Sequence, residues 1–297
     1  MQYGISIIRR YYLLSVLLMT VWLTGCVQEE LGSTPSPAGN GIRFTLTVPD
    51  VNLPSVSSRT MTGTGTAKKE DEIETVDILV FDMSKTPAVY LEWVSATGVT
   101  QDLADNSTVS FSAVLSPTTA STCIVVVANK ELDNIVSGFM KGTTTKVEAM
   151  EKMLHTQTGK WLADGSTTDG YTRIPMYGEK VISKITPSMD PITGINMKRM
   201  LARIDIRNNS ATSNFTVEEV YLANYNTTGY IAPAWNTNGQ VTDPAPDTPV
   251  LPVNSGKMTE EGDAILYSVN GNTPYDGEIY TFESLAAEDA GGVGQDG

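Results

Sequence analysis

Residues 42–48 alternate strictly: Ile42, Phe44, Leu46 and Val48 are apolar, and Arg43, Thr45 and Thr47 between them are polar. A period of two sends the two sets to opposite faces, which predicts a half-buried β-strand. Pro49 and Pro54 end it. Residues 52–69 follow as a loop rich in Ser, Thr and Gly that holds one arginine, Arg59. Strand patterns recur at 74–81, more weakly at 89–94, and clearly at Val109, Phe111, Ala113 and Leu115. Residues 122–128 are almost wholly apolar and β-branched, the mark of a central strand covered on both faces. Over 146–162 the period changes. Val147, Met150, Leu154 and Trp161 share one helical face with Met153 beside them, which predicts a helix bearing the single histidine, His155, at its apolar edge. Strand patterns return at 174–182, 197–206 and 215–222, and residues 225–235 continue with turn-forming Asn, Gly and Pro. An extended proline-rich stretch at 242–252 precedes the last strand-like pieces, 264–269 and 278–282. Many short strands with one or two short helices predict an all-β sandwich architecture, built twice, with a boundary near Asp190 that gives domains at 42–190 and 191–297. No self-similar period marks a solenoid.

The first residues follow another pattern. Arg9 and Arg10 precede an apolar run over 11–22, and Leu23-Thr24-Gly25-Cys26 closes it. The run is about 12 residues, roughly 18 Å as a helix, against a hydrocarbon layer of roughly 30 Å, so it reads as a segment to be removed. A basic start, an apolar core and small residues before a cysteine spell a bacterial lipoprotein signal peptide over 1–25, with Cys26 as the acylated first residue. Each buried CH2 contributes about 0.8 kcal/mol, and more than one acyl chain anchors stably. The expected place is the cell surface, lipid-anchored in the outer membrane. Residues 26–41, rich in Ser, Pro and Gly, form a flexible tether. Glu29 and Glu30 lie just after the lipid cysteine and read equally as a surface-export signal or as plain solubility.

Composition narrows the partners. Net charge is −14 over 297 residues, which argues against nucleic acid and against an electrostatic grip on anionic lipid. Only 18% of residues are charged, and Thr, Ser, Gly and Asn fill the balance, as in exported β-rich proteins. Lipidation uses one of the two cysteines. Cys123 is then alone in an apolar run, a small buried residue with no disulfide or metal partner of its own kind.

Four blocks carry a resemblance: residues 72–82 (EIETVDILVFD), 124–129 (IVVVAN), 174–179 (IPMYGE) and 198–205 (KRMLARID). In that order, after a lipoprotein signal, they resemble the fimbrillin family of Bacteroidetes, whose members build type V pili. The ordered set covers roughly residues 42–240, and the closing 279–283 (IYTFE) resembles a strand of the second domain in such proteins. The resemblance implies two transthyretin-like, Greek-key β-sandwich domains in tandem and a structural, non-enzymatic role in adhesion, as a stalk subunit or as an anchor or tip protein. It also implies a route of assembly. An arginine-specific protease cuts the loop after the first strand, here after Arg59 to leave Thr60 as the new N-terminus. The strand holding Ile42, Phe44, Leu46 and Val48 is then removed or exchanged, and a neighbouring fimbrial subunit fills the groove by β-strand addition. Without the resemblance, Arg59 is an ordinary loop arginine. After Glu283 the chain is Ala, Gly and acidic residues with no clear final strand, which leaves three readings open: a donor strand elsewhere, an incomplete C-terminal domain, or an accessory member that does not polymerise.

Catalytic chemistry is not expected. One histidine gives no His-based metal cluster, and Cys123 and His155 fall on different predicted elements. Residues 62–69 (TGTGTAKK) have the glycines and lysines of a phosphate loop but no apolar helix after them. Acidic stretches at 164–169 and 243–247 lack the regular carboxylate spacing of a calcium loop. No cofactor is therefore expected. The second function class is a monomeric outer-membrane lipoprotein that captures glycan, for which Trp93, Trp161, Tyr225, Tyr230 and Trp235 supply the aromatic candidates; as packing residues they need no ligand.

Overall fold

The computed structural model describes residues 42–48, 70–101, 108–161, 172–206, 219–241, 250–253, 264–268 and 277–284. Its strands begin with β1 (Ile42–Thr47), β2 (Val76–Asp82), β3 (Val89–Ser95), β4 (Thr97–Gln101), β5 (Thr108–Ala113) and β6 (Thr122–Ala128). Two short helices follow, α1 (Asp133–Val136) and α2 (Lys146–Lys152), and then β7 (Leu154–Thr156) and β8 (Met176–Ile182). Next come β9 (Ile192–Asn196), β10 (Lys198–Arg199), β11 (Leu201–Ile206), β12 (Glu219–Leu222) and β13 (Thr228–Tyr230). The last two are β14 (Ile265–Ser268) and β15 (Gly277–Phe282). The fold is all-β, a sandwich with short helices.

One layer is a four-stranded sheet in the order β4-β5-β1-β9, and the other a five-stranded sheet in the order β10-β8-β6-β2-β3. β6 is the middle strand of the larger sheet, and every one of its seven residues is buried, as an almost wholly apolar run rich in β-branched residues requires. Its two faces serve two cores. Ile124, Val126 and Ala128, with Ile78 and Val80 of β2, pack against Phe44, Leu46, Phe111 and Ile195 of the smaller sheet. Cys123, Val125 and Val127, with Leu79 and Phe81, pack on the other side against α1, α2, Trp161, Ile231 and Phe282. β11 pairs with β15, β12 with β14, and β13 with β7, each antiparallel. A smaller cluster of Tyr225, Ile265 and Ile279, with Val220 and Leu222 against it, joins the first two of these ribbons.

The predicted helix over 146–162 is corrected to α2 alone. Thr145 and Glu148 form a reciprocal capping box that starts it. It stops after Lys152 because Leu154, His155 and Thr156 pair instead with Tyr230, Gly229 and Thr228. The Met153 carbonyl accepts from the Ile231 N–H at 3.0 Å and the Gln157 N–H reaches the Thr227 carbonyl at 2.9 Å. Gly159 at φ +79° lies outside helical space. His155 is therefore on a strand. Two strands escape the alternation rule: β4 and β9 hold Gly98 and Gly194 at positive φ, which interrupts the pattern. The predicted strand at 197–206 is two strands, β10 in the five-stranded sheet and β11 beside β15. β9 and β10 both follow Asp190 and pair with β1 and β8.

Candidate functional site: the first strand and its seat

β1 is an interior strand. Its whole length runs antiparallel to β5, with Ile42 opposite Ala113, Phe44 opposite Phe111 and Leu46 opposite Val109. On its other edge it runs parallel to β9, with Phe44 beside Ile192 and Leu46 beside Ile195. The Met197 N–H continues that edge to the Thr47 carbonyl at 2.9 Å. Ile42, Phe44, Leu46 and Val48 are 4%, 1%, 0% and 1% exposed, so the structure brings all four together in one buried row. The Phe44 and Phe111 rings stack at 5.0 Å between centroids and 9° between planes. The floor of the seat is the five-stranded sheet, through Ile78, Val80, Ile124 and Val126. Gly178 of β8 belongs to this floor. A Cβ there would stand 2.7 Å from the Met197 sulfur and 2.8 Å from a methyl of Ile195, so only a bare backbone lets β9 and the segment after it close onto β8.

Burying the four side chains contributes about 1.5–3 kcal/mol each, roughly 6–12 kcal/mol as an upper estimate. A domain's net stability is about 5–15 kcal/mol. The strand thus holds a large share of the stability of its sandwich. Of the other sequence-predicted site residues, Cys26, Arg59 and Thr60 lie outside the described residues.

The chain that follows β1 is held by contacts the sequence reading missed. Glu70 pairs with Arg203 of β11 at 2.5 Å, and Asp71 with Arg199 of β10. Arg173 reaches Glu72 at 3.1 Å and Glu74 at 2.7 Å. Backbone groups of the same segment are tied as well. The Ile73 N–H donates to the Gln101 side chain, whose amide donates to the Asp71 carbonyl at 2.7 Å. Asn129, at φ 58°, accepts from the Glu74 N–H and donates to the Glu72 and Ile174 carbonyls. The acidic run and the basic KRMLAR block were both visible in the sequence. Their partnership was not, because more than a hundred residues separate them.

Elsewhere the polar groups are absorbed in packing. Lys146, 1% exposed, pairs with Glu179 at 2.5 Å, and the Tyr177 hydroxyl donates to the same carboxylate oxygen at 2.7 Å. Burial pushes the neighbouring Cys123 thiol up to about 12, which keeps it protonated and unreactive. Asp77, buried in β2, accepts from the Ser95 hydroxyl and from the Leu132 N–H that opens α1. The aromatic candidates do not share an exposed platform. Trp161 and Tyr225 are buried, in two different clusters, Trp93 packs against the first of these, and Tyr230 and Trp235 form an edge-on pair 5.0 Å apart. Among the described residues no three His, Cys, Asp or Glu side chains are grouped to hold a metal ion.

No curated protein matches the sequence. Among solved structures, a candidate cell adhesion protein from Parabacteroides distasonis ATCC 8503 is 18% identical with a TM-score of 0.43, over 84% of this chain and 73% of that one. A fimbrial assembly protein from the same strain is 13% identical with a TM-score of 0.38, over 81% and 85%. A candidate adhesin from Bacteroides thetaiotaomicron VPI-5482 is 10% identical with a TM-score of 0.35, over 84% and 74%. The family model described as major fimbrial subunit protein (FimA) matches residues 42–192, from the start of β1 to the first residue of β9. The chain belongs to the major fimbrial subunit (FimA) family.

Proposed function

We propose that the protein is a subunit or accessory member, anchor or tip, of a cell-surface fimbria, exported with an acylated Cys26 and assembled by exchange of its first strand. Family membership supplies the fimbrial role. The observation that supports the assembly step is the setting of β1, an interior strand with four buried apolar side chains. Cutting after Arg59 leaves Thr60 as the N-terminus and frees β1 to leave. The open seat then presents the unpaired edges of β5 and β9 and a row of apolar pockets, which a strand from a second subunit restores by β-augmentation. The pockets define the incoming sequence: apolar side chains at four alternate positions, with an aromatic ring at the second to stack on Phe111. A head-to-tail contact of this kind does not close on itself and so builds a filament.

Mass spectrometry of the mature N-terminus, on protein recovered from the cell surface, tests this reading. A start at Thr60, lost in an Arg59→Ala variant together with polymer, is the expected result. A start at acylated Cys26 in all recovered material would overturn strand exchange and favour a permanently tethered anchor or a surface lipoprotein that binds glycan.

A further inference from the structure

The two walls of the β1 seat are not held alike. β5 has a second ladder on its far side, to β4, with Thr97 opposite Ser112, Thr100 opposite Ser110 and Gln101 opposite Val109. The Thr97 and Thr100 hydroxyls add bonds to the Ser112 and Ser110 carbonyls, each at 3.3 Å. β4 in turn continues from β3 through one residue, Ala96, whose N–H donates to the Val76 carbonyl of β2 at 2.9 Å. At its other end the Gln101 side chain accepts from the Ile73 N–H at 3.1 Å and donates to the Asp71 carbonyl at 2.7 Å. None of these bonds involves β1.

β9 is the opposite case. It is the last strand of its sheet, and among the described residues its ladder partner is β1 alone. It also passes into the larger sheet through one residue, Met197, to β10, which pairs with β8. The Met197 N–H, however, donates to Thr47 of β1 itself, so this joint loses its bond when β1 goes. What then holds β9 is Ile192 and Ile195, 3% and 0% exposed in a core that β1 shares, the close approach to Gly178, and an exposed bond from Lys180 to the Thr193 carbonyl. A strand stripped of its ladder and of part of its core opens locally at low free-energy cost.

We propose that β5 is the standing wall of the seat and β9 its latch. Once β1 leaves, β9 swings out about Met197; a strand from a second subunit pairs with β5 first, and β9 then closes over it. The inference rests on the strand-exchange reading and supplies its order of events. Pairing on β5 sets how fast a strand is captured, and closure of β9 sets how long it stays.

The test uses the full chain with a specific protease site placed within residues 49–69, nicked and then given a fluorescent peptide of residues 41–50. Residue-resolved hydrogen exchange is measured before nicking, after nicking with β1 removed, and with the peptide seated. Amides of residues 192–197 are expected to exchange about tenfold faster or more in the emptied chain and to recover with peptide, whereas β5 amides bonded to β4 change less than about threefold. Ile195→Ala is expected to speed peptide release by about tenfold or more and to change capture by less than about threefold, whereas Phe111→Ala, on the standing wall, slows capture. Where Ile195→Ala does not fold, exchange in the parent decides alone. Equal exposure of the two walls in the emptied chain, or a β9 that stays protected, would overturn the latch alone, as would Ile195→Ala slowing capture as much as Phe111→Ala. A nicked chain that gives up β1 only on complete unfolding would overturn strand exchange and the latch with it.

Discussion

His155 shows how one residue's surroundings settle its chemistry. On β7 its ring lies 5.0 Å from Trp161 and 6.4 Å from Phe282, centroid to centroid. Burial first, and the positive charge of Lys130 second, push its pKa down from 6.5 to about 4. Between those values the unfolded chain binds a proton that the folded chain refuses, so stability is highest above 6.5 and falls as pH drops towards about 4. His155→Phe should flatten the urea midpoint against pH across that window relative to the parent, and an unchanged slope would assign the acid sensitivity to other groups. The sequence puts this lone histidine at an apolar edge, and the structure packs its ring against Trp161 and Phe282. The sequence misplaces the element, because Met153 and Trp161 reach the same core although the chain between them is strand and not helix.

Elements whose own residues carry the pattern were legible. β1, β5 and β6 were visible because each writes its burial into its sequence: alternation where one face is covered, a continuous apolar run where both are. β4 and β9 were not, because Thr97, Gly98, Thr193 and Gly194 say nothing of a strand, and only register with β5 and β1 extends them. The seat was half legible for the same reason. Its occupant can be read from residues 42–48, whereas its walls come from β5, β8 and β9, brought together only by folding. At this scale the expected measurement is urea unfolding of Phe44→Ala, which removes the ring stacked on Phe111 and should cost about 3–5 kcal/mol. Val114→Ala, at a side chain 64% exposed, should stay within about 0.5 kcal/mol. Similar costs for the two would mean that β1 is not seated as described.

For the whole molecule the dominant quantity is the charge of −14. Copies of a protein so charged repel one another, and the repulsion reaches about 30 Å at 0.01 M salt but about 8 Å at 0.15 M. On the proposed strand exchange, polymer growth from subunits cut after Arg59, followed by light scattering, should therefore speed up between those ionic strengths, by about tenfold or more where encounter limits it. A rate that falls with salt would point instead to attraction between unlike patches. The ion pairs of residues 70–74 add a second view of the same charge. Acidic residues at 70–74 pair with arginines far along the chain.

One more consequence follows from the neighbours of β1. The strand meets β5 antiparallel and β9 parallel, so the two sides of its seat have different hydrogen-bond spacing. A strand entering end for end would face the wrong ladder on both sides and would move its aromatic ring away from Phe111. In the proposed assembly a fibre grown by filling this seat is consequently vectorial: all its members point one way, an empty seat marks one tip and an unspent donor marks the other, and growth and capping at those tips are separate events.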